Sequence, residues 1–416
     1  MRLRISPRLL TLAGVLAACG VIAIPAAASA HQRHHRGTRH ESAHRGKHHA
    51  SAHRGTRHGS VHRGTLQTSA TGFSAQVLVN ASTITHPLGA GTEPISQPDD
   101  ITSLNGNIFV GFQNGVGAQG QASSSGNLDS TIVEFSRSGQ EIAQWDVVGK
   151  CDGLTADPQT GELIATVNED ANSSVYLIDP TPGSTPVHYT YSEPLPHAGG
   201  TDAISVYHGA VLISASAPGT TGAAAPQPTY PAVYVVRFHR STQIAQVFPL
   251  FGDEAQADVA NTNAANFKAP VNLALTDPDS SEVVPAYADR FGGDFMLNSQ
   301  GDDEQIFFGG WQRPLKVLKL TASIDDTAWP SDPNGVLYTT DNSANAIIAV
   351  TGPFVRGSEI AAVTPCNDNL APATCPAPGF PANYLGSVDP GTGTITQLTV
   401  GGVSFAPQGM LFLPAH

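Results

Sequence analysis

Six oxygen-bearing side chains recur at roughly fifty-residue intervals along the chain: Asp99, Asp152, Asp202, Asn272, Asp325 and Gln408. Each stands at the entrance of a short apolar run, in "PDDITSLNGNIFVGF", "CDGLTADPQTGELIATV", "TDAISVYHGAVLISAS", "VNLALTDPDSS", "IDDTAWPSDPNGVLYTTD" and "PQGMLFLP". Aspartate is a poor strand residue and a poor one to bury, so its recurrence there needs a reason. Four carboxylates near one axis repel one another, and their pKa values rise unless a cation neutralises them. A hard divalent ion, Ca²⁺ or Mg²⁺, with oxygen ligands and waters is the natural partner. Turn chemistry is the alternative: such an Asp also accepts bonds from its own turn backbone, and a water-filled channel would keep it solvated.

The elements that must position these residues are strands. From Phe73 onward, short β-prone runs alternate with Gly, Pro, Asn and Asp turns, and no helix of three turns is predicted. Each opening is followed by a Gly-bearing turn, a second strand, a polar loop and a third strand, as in "STIVEFS", "SSVYLID", "AVYVVRF", "EQIFFG" and "AIIAVTG". Weaker fourth strands follow in "EIAQWDV", "QIAQVFPL" and "KVLKL". Four-stranded units at this period predict an all-β fold, a β-propeller. Six openings imply six blades, with "SAQVLVN" helping to close the ring. Five or seven stay open, because the last unit is incomplete and the gap from Asp325 to Gln408 exceeds one blade.

In a propeller the innermost strands start at one face and run down a central channel, so the six openings form a ring at its mouth. The loops between second and third strands share that face. They add Gln113, Asn114, Asn168, Glu169, Asp170, Asp302, Asp303 and Asp341 as candidate ligand-binding residues. Gln113, Asn114 and Asn168 either orient a polar ligand or satisfy loop backbone. His197, in "LPHAGGTD" before Asp202, is either a general base for lactone or ester hydrolysis, acting with Asp152, or a loop residue with no catalytic duty.

The blade sequence resembles the NHL-repeat and the senescence-marker/gluconolactonase (SMP-30) type of propeller. "DGLTADPQTGELIATVNEDANSSVYLID" carries the resemblance, with Asp-Gly-apolar opening the innermost strand. It extends from about Pro98 to the C-terminus and speaks for the fold more than for an activity. The resemblance implies a divalent ion at the channel mouth, held by a Glu, an Asn and an Asp from different openings, which polarises a carbonyl or activates water. By position Asn272 matches the Asn and Asp152 the Asp. No opening carries the Glu, for which Asp99 is the nearest substitute, and Leu273 stands where the family has Gly. No Gly-x-Ser-x-Gly elbow, zinc helix or phosphate loop offers another chemistry.

The 416 residues include 42 Gly and 31 Pro with only 13% charged, a composition of short strands and many turns. Residues 1–30 read as a secretory signal: basic "MRLRISPR", an apolar run, and Ala28-Ser29-Ala30 before His31. Leu16-Ala17-Ala18-Cys19 resembles a lipobox, which would instead leave a lipid anchor on Cys19. Nothing later is long and apolar enough to span a membrane. Residues 31–72 form a His/Arg-rich tail without an apolar face, predicted to be disordered, and residues 73–416 form the propeller. In the tail "HRGTRHESAHRG" recurs as "HRGTRHGSVHRG", and ten of the 16 histidines lie there. Such a tract either binds Cu, Ni or Zn or serves as a cationic tether for an anionic cell-wall polymer.

Beyond residue 65 the chain has ten basic and 33 acidic side chains, a formal excess of 23 negative charges. That field excludes nucleic acid as a partner and suits a metal ion or a cationic small molecule. Cys366 and Cys375 bracket "CNDNLAPATC" and are expected to form a local disulfide; Cys151 is a small buried residue or a reactive thiol. Three readings follow: an exported propeller binding a divalent cation and a small ligand, a metal-dependent lactone or ester hydrolase, or a surface interaction module with an adhesive tail. Under the last, deleting His31–Thr65 removes attachment to cell walls in a sedimentation assay and leaves the melting temperature unchanged.

Overall fold

The computed structural model describes residues 72–196, 200–217, 230–371, 375–376 and 382–415. The signal region, the tail and His197 lie outside them. Blade 1 comprises Pro98–Leu104, Asn107–Phe112, Asp129–Phe135 and Glu141–Val148, from channel to rim. Blade 2 runs Cys151–Asp157, Glu162–Val167, Ser174–Ile178 and Val187–Tyr191, and blade 3 runs Thr201–Tyr207, Ala210–Ala215, Pro231–His239 and Ile244–Gly252. Neighbouring inner strands pack in sequence order and the last returns to the first, so six blades close a ring. Second and third strands are buried along almost their whole length, because each sheet is covered on both faces by its neighbours. The core therefore lies between blades, as where Phe109, Ile132 and Trp145 meet Leu163 and Tyr176. Cys151 is a buried free thiol in that same cluster.

Two expectations about the later blades need correction. The inner strand of blade 4 is Pro278–Val283; Pro270–Asn272 lies at the outer edge of that sheet, beyond Gln256–Val259. Asn272 is exposed there and pairs with Gln256, far from any strand entrance. The unit from Ile324 is also not one blade. Ile324–Ala328 pairs with Glu359–Val363, while Gly335–Asp341 pairs with Met410–Pro414 in the next sheet. The connecting "WPSDPNG" holds Pro330 and Pro333, which oppose a tight hairpin and carry the chain across. Blade 6 thus takes its inner strand from the C-terminus and an outer strand, Phe73–Asn80, from the N-terminal end of the described chain, which closes the ring.

Five inner strands share one irregularity. Pairing slips between Pro98 and Ile101, Cys151 and Leu154, Thr201 and Ile204, Pro278 and Ser281, and Ile324 and Thr327. A bulge of this kind breaks the alternation of faces and re-aims a side chain. The residues it releases are Asp99, Asp152, Asp202, Asp279 and Asp325, each followed by one further unpaired residue.

Side chains around the bulges sew each opening to the next blade. Asp100 Oδ2 accepts the Leu154 amide at 2.7 Å, and Asp326 Oδ2 accepts that of Met410 at 2.6 Å. Thr166 Oγ1 donates to the Asp202 carbonyl at 2.5 Å, Ser205 Oγ to the Ser281 carbonyl at 2.8 Å, and Thr340 Oγ1 to the Asp99 carbonyl at 2.6 Å. Ser280 Oγ donates to the Asp325 carbonyl. Among the described residues no helix is long and apolar enough to cross a membrane. Cys366 and Cys375 are joined in a disulfide.

Gly153 occupies the second bulge position of blade 2, where a Cβ would strike the Asp202 carbonyl oxygen and Thr166 Oγ1. Gly153→Ala is expected to lower unfolding free energy in urea by about 1–3 kcal/mol, the usual cost of overpacking a tight site. An unchanged midpoint would show that the bulge yields freely.

Candidate cation site at the channel mouth

Five bulges deliver Asp99, Asp152, Asp202, Asp279 and Asp325 into a cavity of about 330 Å³ at the mouth of the channel, and Gln408, just before the sixth inner strand, completes the ring. Glu169 and Asp277 add carboxylates to its wall, and Lys150 adds one ammonium. The ring expected from the sequence is present at five positions, with Asp279 standing where Asn272 was placed. The signal for Asp279 was available, since Pro278-Asp279-Ser280 repeats the Pro98-Asp99-Asp100 opening of blade 1.

Lys150 is the cation that the sequence reading missed. Its Nζ lies 2.8 Å from Asp152 Oδ1 and also contacts Glu169 Oε1. Burial alone would lower the pKa of this amine; the carboxylates of Asp152, Glu169 and Asp99 outweigh it and hold the ammonium charged well above its ordinary range. Asn168, in the left-handed region at φ 70°, fixes the lysine backbone: its Oδ1 accepts the Lys150 amide at 3.0 Å, and its own amide donates to the Lys150 carbonyl at 2.7 Å. Gln113 bridges two blades, donating from Nε2 to Asp99 Oδ2 at 2.8 Å and to Asp152 Oδ1 at 2.9 Å.

One ammonium is not enough for the carboxylates around it. Burial pushes Asp99 up to about 7, with Asp325 and Glu169 adding to the rise and Lys150 opposing it. Burial also takes Asp325 to about 7; Asp326 adds to the rise, while hydrogen bonds with Asp279 and Gln408 restrain it. Asp152, Asp202 and Asp279 are held well above the carboxylate range, by burial first and by neighbouring acids second. Asp152 is 6% exposed, and its Oδ2 is buried without a hydrogen-bond partner among the described residues. Among the described residues no three His, Cys, Asp or Glu side chains are already arranged to hold a metal ion.

Several other expected site residues serve the loops and do not line the mouth. Asn114 Oδ1 accepts the Ser96 amide at 3.0 Å, and its Nδ2 donates to Thr131 Oγ1 at 2.9 Å. Asp302 takes the Thr276 amide at 2.8 Å and the Ser299 hydroxyl at 2.6 Å. Asp341 takes the amides of Ala344 and Ala406, each at 2.9 Å. Each is a short polar side chain that satisfies backbone and hydroxyl groups of its own or a neighbouring segment, the alternative to ligand binding that sequence alone leaves open. Asp170 and Asp303 also stand outside the cavity wall, while Asn342, Asn367 and Gln300 line it.

No family model matches the chain, and no curated protein matches it. Solved structures similar to it include a protein of unknown function from Bacteroides caccae, 11% identical, with TM-score 0.38 over 75% of this chain and 83% of that one. Another is a protein described provisionally as a gluconolactonase, 11% identical, with TM-score 0.32 over 68% and 92% of the two chains. A third is a virginiamycin B lyase from Staphylococcus aureus, 11% identical, with TM-score 0.32 over 67% and 99%.

The raised pKa values fix the sign of a stability effect. A carboxyl whose folded pKa exceeds its unfolded value binds more protons folded than unfolded, so stability falls as pH rises from the unfolded pKa through the folded one. Asp99 and Asp325 rise from 3.8 to about 7. In buffer without divalent or organic cations, the melting temperature is expected to fall between about pH 4 and pH 7. A flat or rising curve by scanning calorimetry would mean that these carboxylates are solvated.

Proposed function

We propose that the chain is an exported propeller whose channel mouth binds a cationic ligand, with a hard divalent ion, Ca²⁺ or Mg²⁺, as the smallest ligand it takes. The observation that carries this reading is the orphaned Asp152 Oδ2, buried in a ring of aspartates with Lys150 as the single ammonium on the wall. The donor set fits such an ion. Carboxylate and amide oxygens from Asp99, Asp152, Asp202, Asp279, Asp325 and Gln408 are the hard ligands these ions prefer. A bound cation would neutralise charge that protons otherwise cover, so binding releases protons near neutral pH. On this chain's side, Gln113 orients Asp99 and Asp152, Asn168 holds Lys150, and Lys150 competes with the ligand for Asp152 and Glu169. The lactone or ester hydrolase reading keeps Asp152 but loses Asn272, and His197 lies outside the described residues.

Calorimetric titration of the full chain with CaCl₂ tests the proposal. Imidazole is a poor ligand for this hard ion, so the histidine tail does not obscure the result. We expect saturable binding that Asp152→Asn weakens by roughly tenfold, equivalent to ~1.4 kcal/mol. Binding of equal strength in that variant would remove Asp152 from the site, and no heat with CaCl₂ or with MgCl₂ titrated in the same way would remove the metal from the proposal.

A further inference from the structure

The mouth is only the upper half of the channel. Below it lies a second cavity of about 400 Å³, lined by residues of all six inner strands, including Thr102, Thr155, Ser205, Glu282, Asp326 and Leu411. Asp100 and Ser280 border both cavities, so the two are consecutive parts of one axial space. Carboxylates line it at successive depths: the ring at Asp279, then Asp100 and Asp326, then Glu282. Pro278 and Glu282 pair with Ser299 and Met296, three residues apart on the neighbouring strand, so across the bulge Asp279 lies under ~10 Å from Glu282 along the channel. A point cation answers only one level of such a ladder.

The fold itself shows what kind of cation the wall accepts. Lys150 is a primary alkylammonium, and it sits against Asp152 Oδ1 and Glu169 while Asp152 Oδ2 stays unpartnered. The second Asp152 oxygen, buried in the same wall, lacks the ammonium partner that the first one has. An ammonium also suits a site whose carboxylates are spread along a wall, because each N–H takes an acceptor singly and no closed coordination sphere is required.

We infer that the channel binds a linear polyamine, threaded along the axis with one terminal ammonium at the Asp152 ring and another at the level of Glu282. This rests on the reading of the mouth as a cation site and extends it to a ligand class. The three- and four-carbon spacers of such chains place successive ammoniums against successive carboxylate levels, and the hydroxyls of Thr102, Thr155 and Ser205 offer further acceptors beside them.

The test is calorimetry of the full chain with putrescine, spermidine, spermine and Ca²⁺ at fixed ionic strength. Affinity is expected to rise by about tenfold per added ammonium, and Glu282→Gln to weaken spermine by about tenfold while leaving Ca²⁺ binding unchanged. Glu141→Gln, on an exposed strand edge, is the control and should change neither. Should Glu282→Gln fold poorly, competition in the unmodified chain decides: spermine displaces Ca²⁺ from the mouth. Spermine no tighter than putrescine, an unaffected Glu282→Gln, or equal losses in Glu282→Gln and Glu141→Gln would overturn the polyamine channel and leave the Ca²⁺ site standing. Absence of binding by Ca²⁺ and by every amine would overturn both.

Discussion

Buried aspartates gathered around one axis repel one another across a small cavity, and among the described residues that line it Lys150 is the one ammonium. Coulomb repulsion at such range is strong in a low-dielectric interior. The chain relieves it in three ways. Lys150 covers Asp152 and Glu169, hydrogen bonding with Asp279 and Gln408 restrains Asp325, and Gln113 donates to Asp99 and Asp152 together. None of these reaches Asp152 Oδ2, where relief is incomplete. The carboxylates of Asp152, Asp202 and Asp279 are held above the ordinary carboxylate range by burial first and by neighbouring acids second.

The fold has to hold these repelling groups in place, and it does so with backbone bonds at the strand entrances. A bulge at the same position in five inner strands turns an aspartate toward the channel and frees neighbouring backbone groups. Hydroxyls and second-position carboxylates from adjacent blades then take up several of those groups, as Asp100 does for Leu154 and Thr340 for Asp99. The device that aims the site thus also joins blade to blade. Asp100 and Asp326 illustrate the division of labour: one residue along from Asp99 and Asp325, they bond backbone amides.

Much of this was legible in the sequence where local chemistry repeats. The turn-strand period gave a propeller, and the Asp openings of blades 1, 2, 3 and 5 marked the ring. It failed where the period was broken by insertion. In blade 4 the outer strands precede the inner one, so "VNLAL" presented an apolar run at the right interval while the true opening waited at Pro278. The crossing of Gly335–Asp341 into blade 6 is a tertiary choice that no local pattern encodes. Asn114, Asp302 and Asp341 show a different limit. A polar residue in a mouth-side loop has two uses, and only the direction of its side chain separates them.

Lys150 was hidden for the opposite reason: nothing about an isolated lysine before Cys151 marks it as buried. Its place changes what the ring is for. A ring built only to hold a divalent ion gains nothing from an ammonium already bound to Asp152, because that ammonium must be displaced or tolerated. A ring that accepts ammonium ions as its ordinary ligands can include one of its own. It can then fold without ligand while Asp152 Oδ2 stays buried and unpartnered among the described residues. The acidic surface beyond residue 65 adds a long-range field of the same sign, which draws cations toward the channel while Lys150 weighs against only one charge inside it.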